Sequence, residues 1–235
     1  MKKTIILILP FVVLISCNNI EKQKRIEREK TINDSIQQAE KLQKDKELAE
    51  EKVRIDSLSQ IAWGEAKFGM SVKDVKATKA FKNAFGFRDK NNPFQSLELT
   101  LDDTNIEGIY SIKVSFFNDR LFRVDMESWT RNANYYDTEI KETVDELKNL
   151  IQEKYGEPTV NNGFPDFIEL KPDRPITAYS WTVGEKRIYI DVKEIYSGSE
   201  YKVECIILHS KETEAVSSYN DKLEQETKSK KSNGF

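Results

Sequence analysis

The sequence predicts an α+β fold: an antiparallel sheet from two helix-plus-three-strand units with helices on one face, preceded by a long N-terminal helix. Three observations carry the prediction. Residues 20–60 contain neither Gly nor Pro and are dominated by Glu, Lys, Gln and Arg, which are good helix formers. From Trp63 on, two amphipathic stretches of helical period appear. Each is followed by three short runs in which apolar and polar residues alternate, the period of a half-buried strand.

The chain opens on a basic Met1-Lys2-Lys3, followed by an apolar run from Thr4 to Ile15 that only Pro10 interrupts. That run is about a dozen residues long, short of the roughly 20 that a membrane-spanning helix needs. It fits the roughly 7–15 residues of a signal-peptide core. The run closes on Leu14-Ile15-Ser16-Cys17, after which the chain turns polar. This stretch resembles the lipobox of a bacterial lipoprotein. The resemblance implies that residues 1–16 are a cleaved leader and that Cys17 becomes the first residue of the mature chain. Its sulfur would carry a diacylglycerol and its amine an acyl chain. The chemistry needs cysteine because the thiolate is the nucleophile that accepts the lipid. Several acyl chains on one residue anchor stably where a single chain binds only marginally.

The Lys- and Ile-rich leader and the Asn/Lys usage resemble those of a Bacteroidota lipoprotein. Within lipoproteins, Asn18 in place of aspartate implies the outer membrane. Asn18-Asn19-Ile20-Glu21-Lys22 lacks the acidic cluster of surface-exported lipoproteins, which implies a periplasm-facing domain.

Composition narrows the partners. The 235 residues allow one ordinary domain plus appendages. The formal charge is −3, and losing Lys2 and Lys3 with the leader brings it to about −5, which argues against nucleic acid as a partner. With Cys17 lipidated, Cys205 is the one cysteine left, so no intramolecular disulfide forms and the core must suffice. Cys205 sits in an apolar strand pattern as a small buried hydrophobe.

Residues 17–62 form the lipidated N-terminus and a polar helical stalk. Its charges are mixed, with Glu40–Lys44 supporting and Glu47–Glu51 repelling at helical spacing. Ile32, Ala39 and Val53 share one heptad position, but Lys46 breaks the series. The expectation is a single solvated helix that lifts a domain off a membrane, reaching about 60 Å over forty residues. A self-pairing coiled coil is the alternative.

The domain occupies residues 63–211. Phe68-Gly69-Met70-Ser71 opens a helix, with Ser71 as N-cap, Asp74 as capping partner and a Met70–Val75 staple. That helix is expected over Val72–Lys82, burying Val72, Val75 and Phe81. Leu97, Leu99 and Leu101 alternate, as do Tyr110, Ile112, Val114 and Phe116. Asn118-Asp119 makes a tight turn into Phe122, Val124 and Met126, giving a hairpin. Its wet face carries Lys113, Ser115, Arg123 and Asp125.

The second helix presents Ile140, Val144, Leu147 and Ile151 at i, i+4, i+7 and i+11, with Tyr155 continuing the face. Thr138 or Asp137 caps its start, and Gly156 with Pro158 ends it. Three more alternating runs follow, through Tyr179, Trp181 and Val183, through Ile188, Ile190 and Val192, and through Tyr201, Val203, Cys205 and Ile207. Gly184-Glu185 and Ser197-Gly198-Ser199 turn the chain between them. Residues 212–235 are polar, and a frayed helix with a disordered tail is expected.

Phe68-Gly69-Met70-Ser71 followed by Val75 resembles the helix start of small outer-membrane lipoproteins of the SmpA/OmlA type. The layout is similar to β-lactamase-inhibitor-like αβ repeats. Both likenesses imply protein–protein interaction in the envelope.

A search for chemistry yields no catalytic residue, metal site or cofactor. His209 is the only histidine and reads as a surface residue at a strand end. No Gly-rich phosphate loop, His-Glu-x-x-His or Cys-x-x-Cys occurs. Asp102-Asp103, and Asp125 with Glu127, are the paired carboxylates that a hydrolase or calcium site would need, though a charged solvent face has the same pattern. The best candidate for binding is the segment Trp129–Tyr136, in which Trp129, Arg131, Tyr135 and Tyr136 have the chemistry of a recognition patch. The competing reading has Trp129 and Tyr136 cover the edge of the core. The sequence therefore favours a non-enzymatic, lipid-anchored envelope protein with a protein partner over a carboxylate hydrolase or a small-ligand binder.

Overall fold

In the computed structural model, the described residues are 9–86, 92–100, 106–172, 174–196 and 198–232, with side chains described for residues 22–229 within that range. Met1-Lys2-Lys3 with the rest of residues 1–8, Leu101, Asp102-Asp103, Ser197 and the last three residues lie outside it. The chain divides into two compact units, with the boundary between Val53 and Arg54.

The described part of the first unit, residues 9–53, is helical throughout. α1 runs from Leu9 to Gln60, and its 52 residues extend about 78 Å at 1.5 Å per residue. It therefore begins well before residue 20, where the Gly- and Pro-free stretch starts. Every side chain from Lys22 to Arg54 is exposed, Ile32, Leu42 and Val53 included. Ion pairs one turn apart support it, Arg25 to Glu29 at 3.3 Å and Lys46 to Glu50 at 3.8 Å. Exposed pairs of this kind contribute only about 0.3–0.5 kcal/mol each, so helix propensity carries the segment.

The second unit is the α+β domain. It begins inside α1, earlier than the change of composition at 62/63, because Ile55, Leu58 and Ser59 pack against the domain. β1 (Ile61–Trp63) and β2 (Ala66–Lys67) form a small hairpin of their own. α2 (Val72–Ala77) precedes β3 (Phe94–Thr100), β4 (Ile109–Phe117) and β5 (Arg120–Ser128). β6 (Arg131–Asn132) leads to α3 (Lys141–Tyr155) and β7 (Val160–Asn161). β8 (Ile176–Val183), β9 (Lys186–Tyr196) and β10 (Glu200–His209) follow, and α4 (Ser210–Ser232) closes the described chain.

The sheet order is β3-β4-β5-β10-β9-β8-β7, with β6 paired to β10, and every pairing between these strands is antiparallel. The two helix-plus-three-strand units therefore join edge to edge through β5 and β10. The registers lay apolar residues in rows across six strands. One row is Leu97, Val114, Val124, Ile207, Ile188 and Trp181. Val75 of α2 and Val144, Leu147 and Ile151 of α3 join these rows in one buried core. The rows on the opposite face are largely polar, with Glu98, Lys113, Asp125, Ile206, Tyr189 and Ser180 in one and Ser111, Glu127, Glu204, Asp191 and Thr177 in another.

Several expectations hold in detail. Ser71 Oγ accepts from Asp74 N at 3.1 Å and donates to Asp74 Oδ2 at 2.7 Å. Asn118 and Asp119 take φ of 48° and 61°, the left-handed pair that a tight hairpin turn requires. Gly156 ends α3 with φ of 81°, and its N–H bonds back to Gln152 O.

Others are corrected. α2 stops at Ala77 instead of Lys82, because Thr78 turns extended and its hydroxyl takes Val75 O at 2.7 Å. Phe81 is still buried, through the turn that follows. A register shift between Ser115 and Phe116 sends Leu121 into the core and leaves Phe122 partly exposed. The second helix enters through a 3₁₀ turn capped by Asn132 and a π turn over Tyr136–Ile140, so neither Asp137 nor Thr138 is its cap. This entry buries both Tyr136 and Ile140. From residue 212 the chain is α-helix through Ser232, longer than the frayed helix with a disordered tail that was expected. Two long-range contacts seat its first turns: Arg120 grips Glu212 at 2.6 Å, and Tyr219 packs on Phe94 and Phe117.

Candidate functional site

β5 and β6 are separated by Trp129 and Thr130, and this gap forms one wall of a surface pocket. Ser128 fixes its backbone, with Oγ accepting from Val203 N at 2.8 Å and donating to Trp129 O at 3.0 Å. Trp129 remains 40% exposed and stacks on Tyr110, centroids 5.0 Å apart. Arg131 pairs with Glu139 through Nε. Together with Glu107, Glu142 and Glu146 these side chains line a cavity of about 490 Å³, within the roughly 300–1,000 Å³ usual for ligand pockets. Gly108 belongs to the wall because a Cβ there would meet Thr143 Oγ1 at 2.3 Å, and its φ of 75° suits glycine.

The structure thus brings Trp129 and Arg131 together. Tyr135 is 44% exposed but does not line the cavity, and Tyr136 is 2% exposed. Its hydroxyl donates to Pro165 O at 2.9 Å and its ring packs on Phe164 and Tyr201, so it serves the core. Burial pushes its phenol up. Leu14, Ile15, Ser16 and Cys17 are helical in backbone, and their side chains lie outside the described ones.

A second cluster, at the end of α1, was not legible as a site. Lys186 is fully buried, and its Nζ donates to Leu58 O at 2.6 Å, Ile61 O at 3.1 Å and Tyr155 Oη at 2.8 Å. The ammonium thus closes the unpaired carbonyl end of α1, where a cation is also favoured by the helix dipole. Burial, with Lys154 adding repulsion, pulls its pKa down to about 7. Burial pushes the Tyr155 phenol up to about 12.

Beside Lys186 across the β9–β10 ladder stands His209. It is 4% exposed, not a surface residue, because it shares the parity of Val203, Cys205 and Ile207 and faces the core. Its ring lies 5.2 Å from Phe68, Nε2 is 3.4 Å from Gln60 Nε2, and Nδ1 is buried without a partner. Burial lowers its pKa against the pull of Glu212 and Glu185. Cys205 is fully buried, and burial pushes its thiol up.

The paired carboxylates are engaged by cations. Asp125 holds Arg123 at 2.6 Å and Glu127 holds Lys202 at 2.9 Å. Asp191, on the same face, is 7% exposed with its carboxyl raised by burial. Among the described residues no cluster of His, Cys, Asp and Glu is placed to hold a metal ion, and no helix is long and apolar enough to cross a membrane. No known protein family, characterised protein or solved structure matches the chain.

Proposed function

We propose that the protein is a lipoprotein of a bacterial cell envelope, anchored through Cys17, whose α+β domain is a non-enzymatic module that binds a protein partner. The observation that carries the reading is α1. From Lys22 to Arg54 it buries no side chain, while its Leu58 carbonyl, and that of Ile61 just beyond its end, are tied into the domain. A helix of that kind suits a spacer between an anchor and a folded body. The outer membrane, facing the periplasm, is the favoured location.

The partner surface in this reading is Trp129 with Arg131, since a half-exposed tryptophan beside an arginine is the usual composition of an interface anchor. Cross-linking from intact envelopes tests it. A reproducible partner is expected with the native chain, and Trp129→Ala should lose it while the purified variant melts as the native protein does. Absence of any partner, or its retention in Trp129→Ala, contradicts the reading. A small-ligand-binding lipoprotein is a second reading, favoured by the cavity beside Trp129. The carboxylate hydrolase has less support, because Asp125 and Glu127 each have a cation already.

A further inference from the structure

The end of α1 is seated at the ends of β9 and β10 by two basic side chains, and Gln60 O also accepts from Phe68 N at 2.9 Å. Lys186 spends its three donors on Leu58 O, Ile61 O and Tyr155 Oη. His209 meets Gln60, the last residue of α1, through Nε2. The same histidine's carbonyl accepts from Thr213 Oγ1 at 2.8 Å, and the next residue, Ser210, bonds Glu185 O from both N and Oγ. The first turn of α4, the turn between β8 and β9, and the last turn of α1 therefore meet at His209. We propose that this junction is a proton-operated latch: protonation of His209 releases the last turns of α1 from the β9–β10 end while the rest of the domain stays folded.

The geometry explains why a second proton is badly placed. In the neutral ring Nε2 is matched to the Gln60 amide, whose orientation sets the tautomer. Nδ1 has no partner and no solvent. The imidazolium needs acceptors at both nitrogens, and Nδ1 has none, so its desolvation is uncompensated. It would also face the Lys186 ammonium, its direct neighbour in the ladder.

The other charges around it do not reverse this. From α4 come Glu212 and Lys211, and from the β8–β9 turn comes Glu185. Glu212 already receives two hydrogen bonds from Arg120 of β5, at 3.0 and 2.6 Å, which hold its carboxyl below the ordinary range. From α3, Lys154 repels Lys186 and Tyr155 is engaged by it; Lys186 and Lys211 themselves disfavour the imidazolium. Phe68 and Gln60 bring no charge. Burial outweighs the two carboxylates, so the His209 pKa lies below its ordinary value.

The sign follows from linkage. A depressed folded-state pKa means that the seated form is favoured above the free imidazole value and loses that advantage as pH falls through the seated one. The released segment is local because Arg54–Gln60 contribute only Ile55, Leu58 and Ser59 to the packed interior, whereas β5, β9 and β10 are stitched by long ladders.

Backbone amide hydrogen exchange on the full chain tests the latch. After correction for intrinsic rates, protection of residues 54–60 should fall about tenfold between about pH 7 and pH 5, with the β9 and β10 amides unchanged. His209→Gln keeps a polar group of similar reach but cannot take the proton, so its protection should not vary with pH. Should His209→Gln fail to fold, His209→Phe, which stacks on Phe68 without a titrating nitrogen, serves the same comparison. Unchanged protection in the native chain, a pH dependence that survives in either variant, or loss of protection across the whole sheet at once would each overturn the proposal.

Discussion

Replacing Lys186 with methionine removes a fully buried cation from under the end of α1. The magnitude comes from its pKa, pulled from 10.5 to about 7 mainly by burial. Each unit is worth about 1.4 kcal/mol, so charging the buried amine works against folding by up to about 5 kcal/mol. Its three oxygen acceptors reduce that penalty. Because the folded pKa is depressed, the unfolded chain binds the proton more tightly between pH 7 and 10.5. Stability therefore rises with pH across that window and is flat below it. The upper part of the window is shared with other groups. The raised Cys205 thiol and the raised Tyr136 and Tyr155 phenols oppose folding once their unfolded forms ionise. The clean range is therefore about pH 7 to 8.5, where the native protein should gain about 1–2 kcal/mol. Urea unfolding at 25 °C, followed by tryptophan fluorescence and far-UV circular dichroism, measures it. Lys186→Met should be flat over the same range, whatever its absolute stability. A flat native profile, or an undiminished slope in Lys186→Met, refutes the reasoning.

Two further substitutions test the packing and the turn chemistry. Leu147→Ala opens the core beneath α3, where Leu147 is 2% exposed, and should cost about 2–5 kcal/mol by denaturant unfolding. Asp119 both turns the β4–β5 hairpin at φ of 61° and accepts from Val72 N at 3.0 Å, capping α2 from across the chain. Asp119→Gly keeps the turn and loses the cap, at a cost of about 1 kcal/mol. Asp119→Ala adds left-handed strain of about 1–2 kcal/mol, so its midpoint should fall further than that of the glycine variant.

What the sequence made legible was periodicity. Ile140, Val144, Leu147 and Ile151 are all buried because spacing on one helical face is a local property. The alternating runs located the six long strands, and the helix-plus-three-strand repeat marked the two units, while the β5–β10 seam that joins them is seen only in the fold. Lys186 and His209 were missed for one reason. Each has the parity of the apolar residues beside it, Ile188 and Ile207, yet Lys186 was not singled out and His209, a titratable type, was read as a surface residue. Parity was the stronger signal, since a one-residue offset would turn the whole strand over. α4 was expected only as a frayed helix because what orders it is distant in sequence. Arg120, Phe94 and Phe117 come to Glu212 and Tyr219 only after the sheet has formed. The pocket was half legible. Trp129 and Arg131 stand in one segment, while Glu107 comes from before β4 and Glu142 and Glu146 come from α3.

The proposal as a whole hangs on the state of Cys17 in the cell. Mass spectrometry of the N-terminal peptide, from protein extracted out of the membrane fraction of its native host, measures that state directly. The account predicts a peptide beginning at Cys17 and heavier by a diacylglycerol and an amide-linked acyl chain. A chain recovered in the soluble fraction with an unmodified Cys17, or one cleaved at another residue, would contradict it.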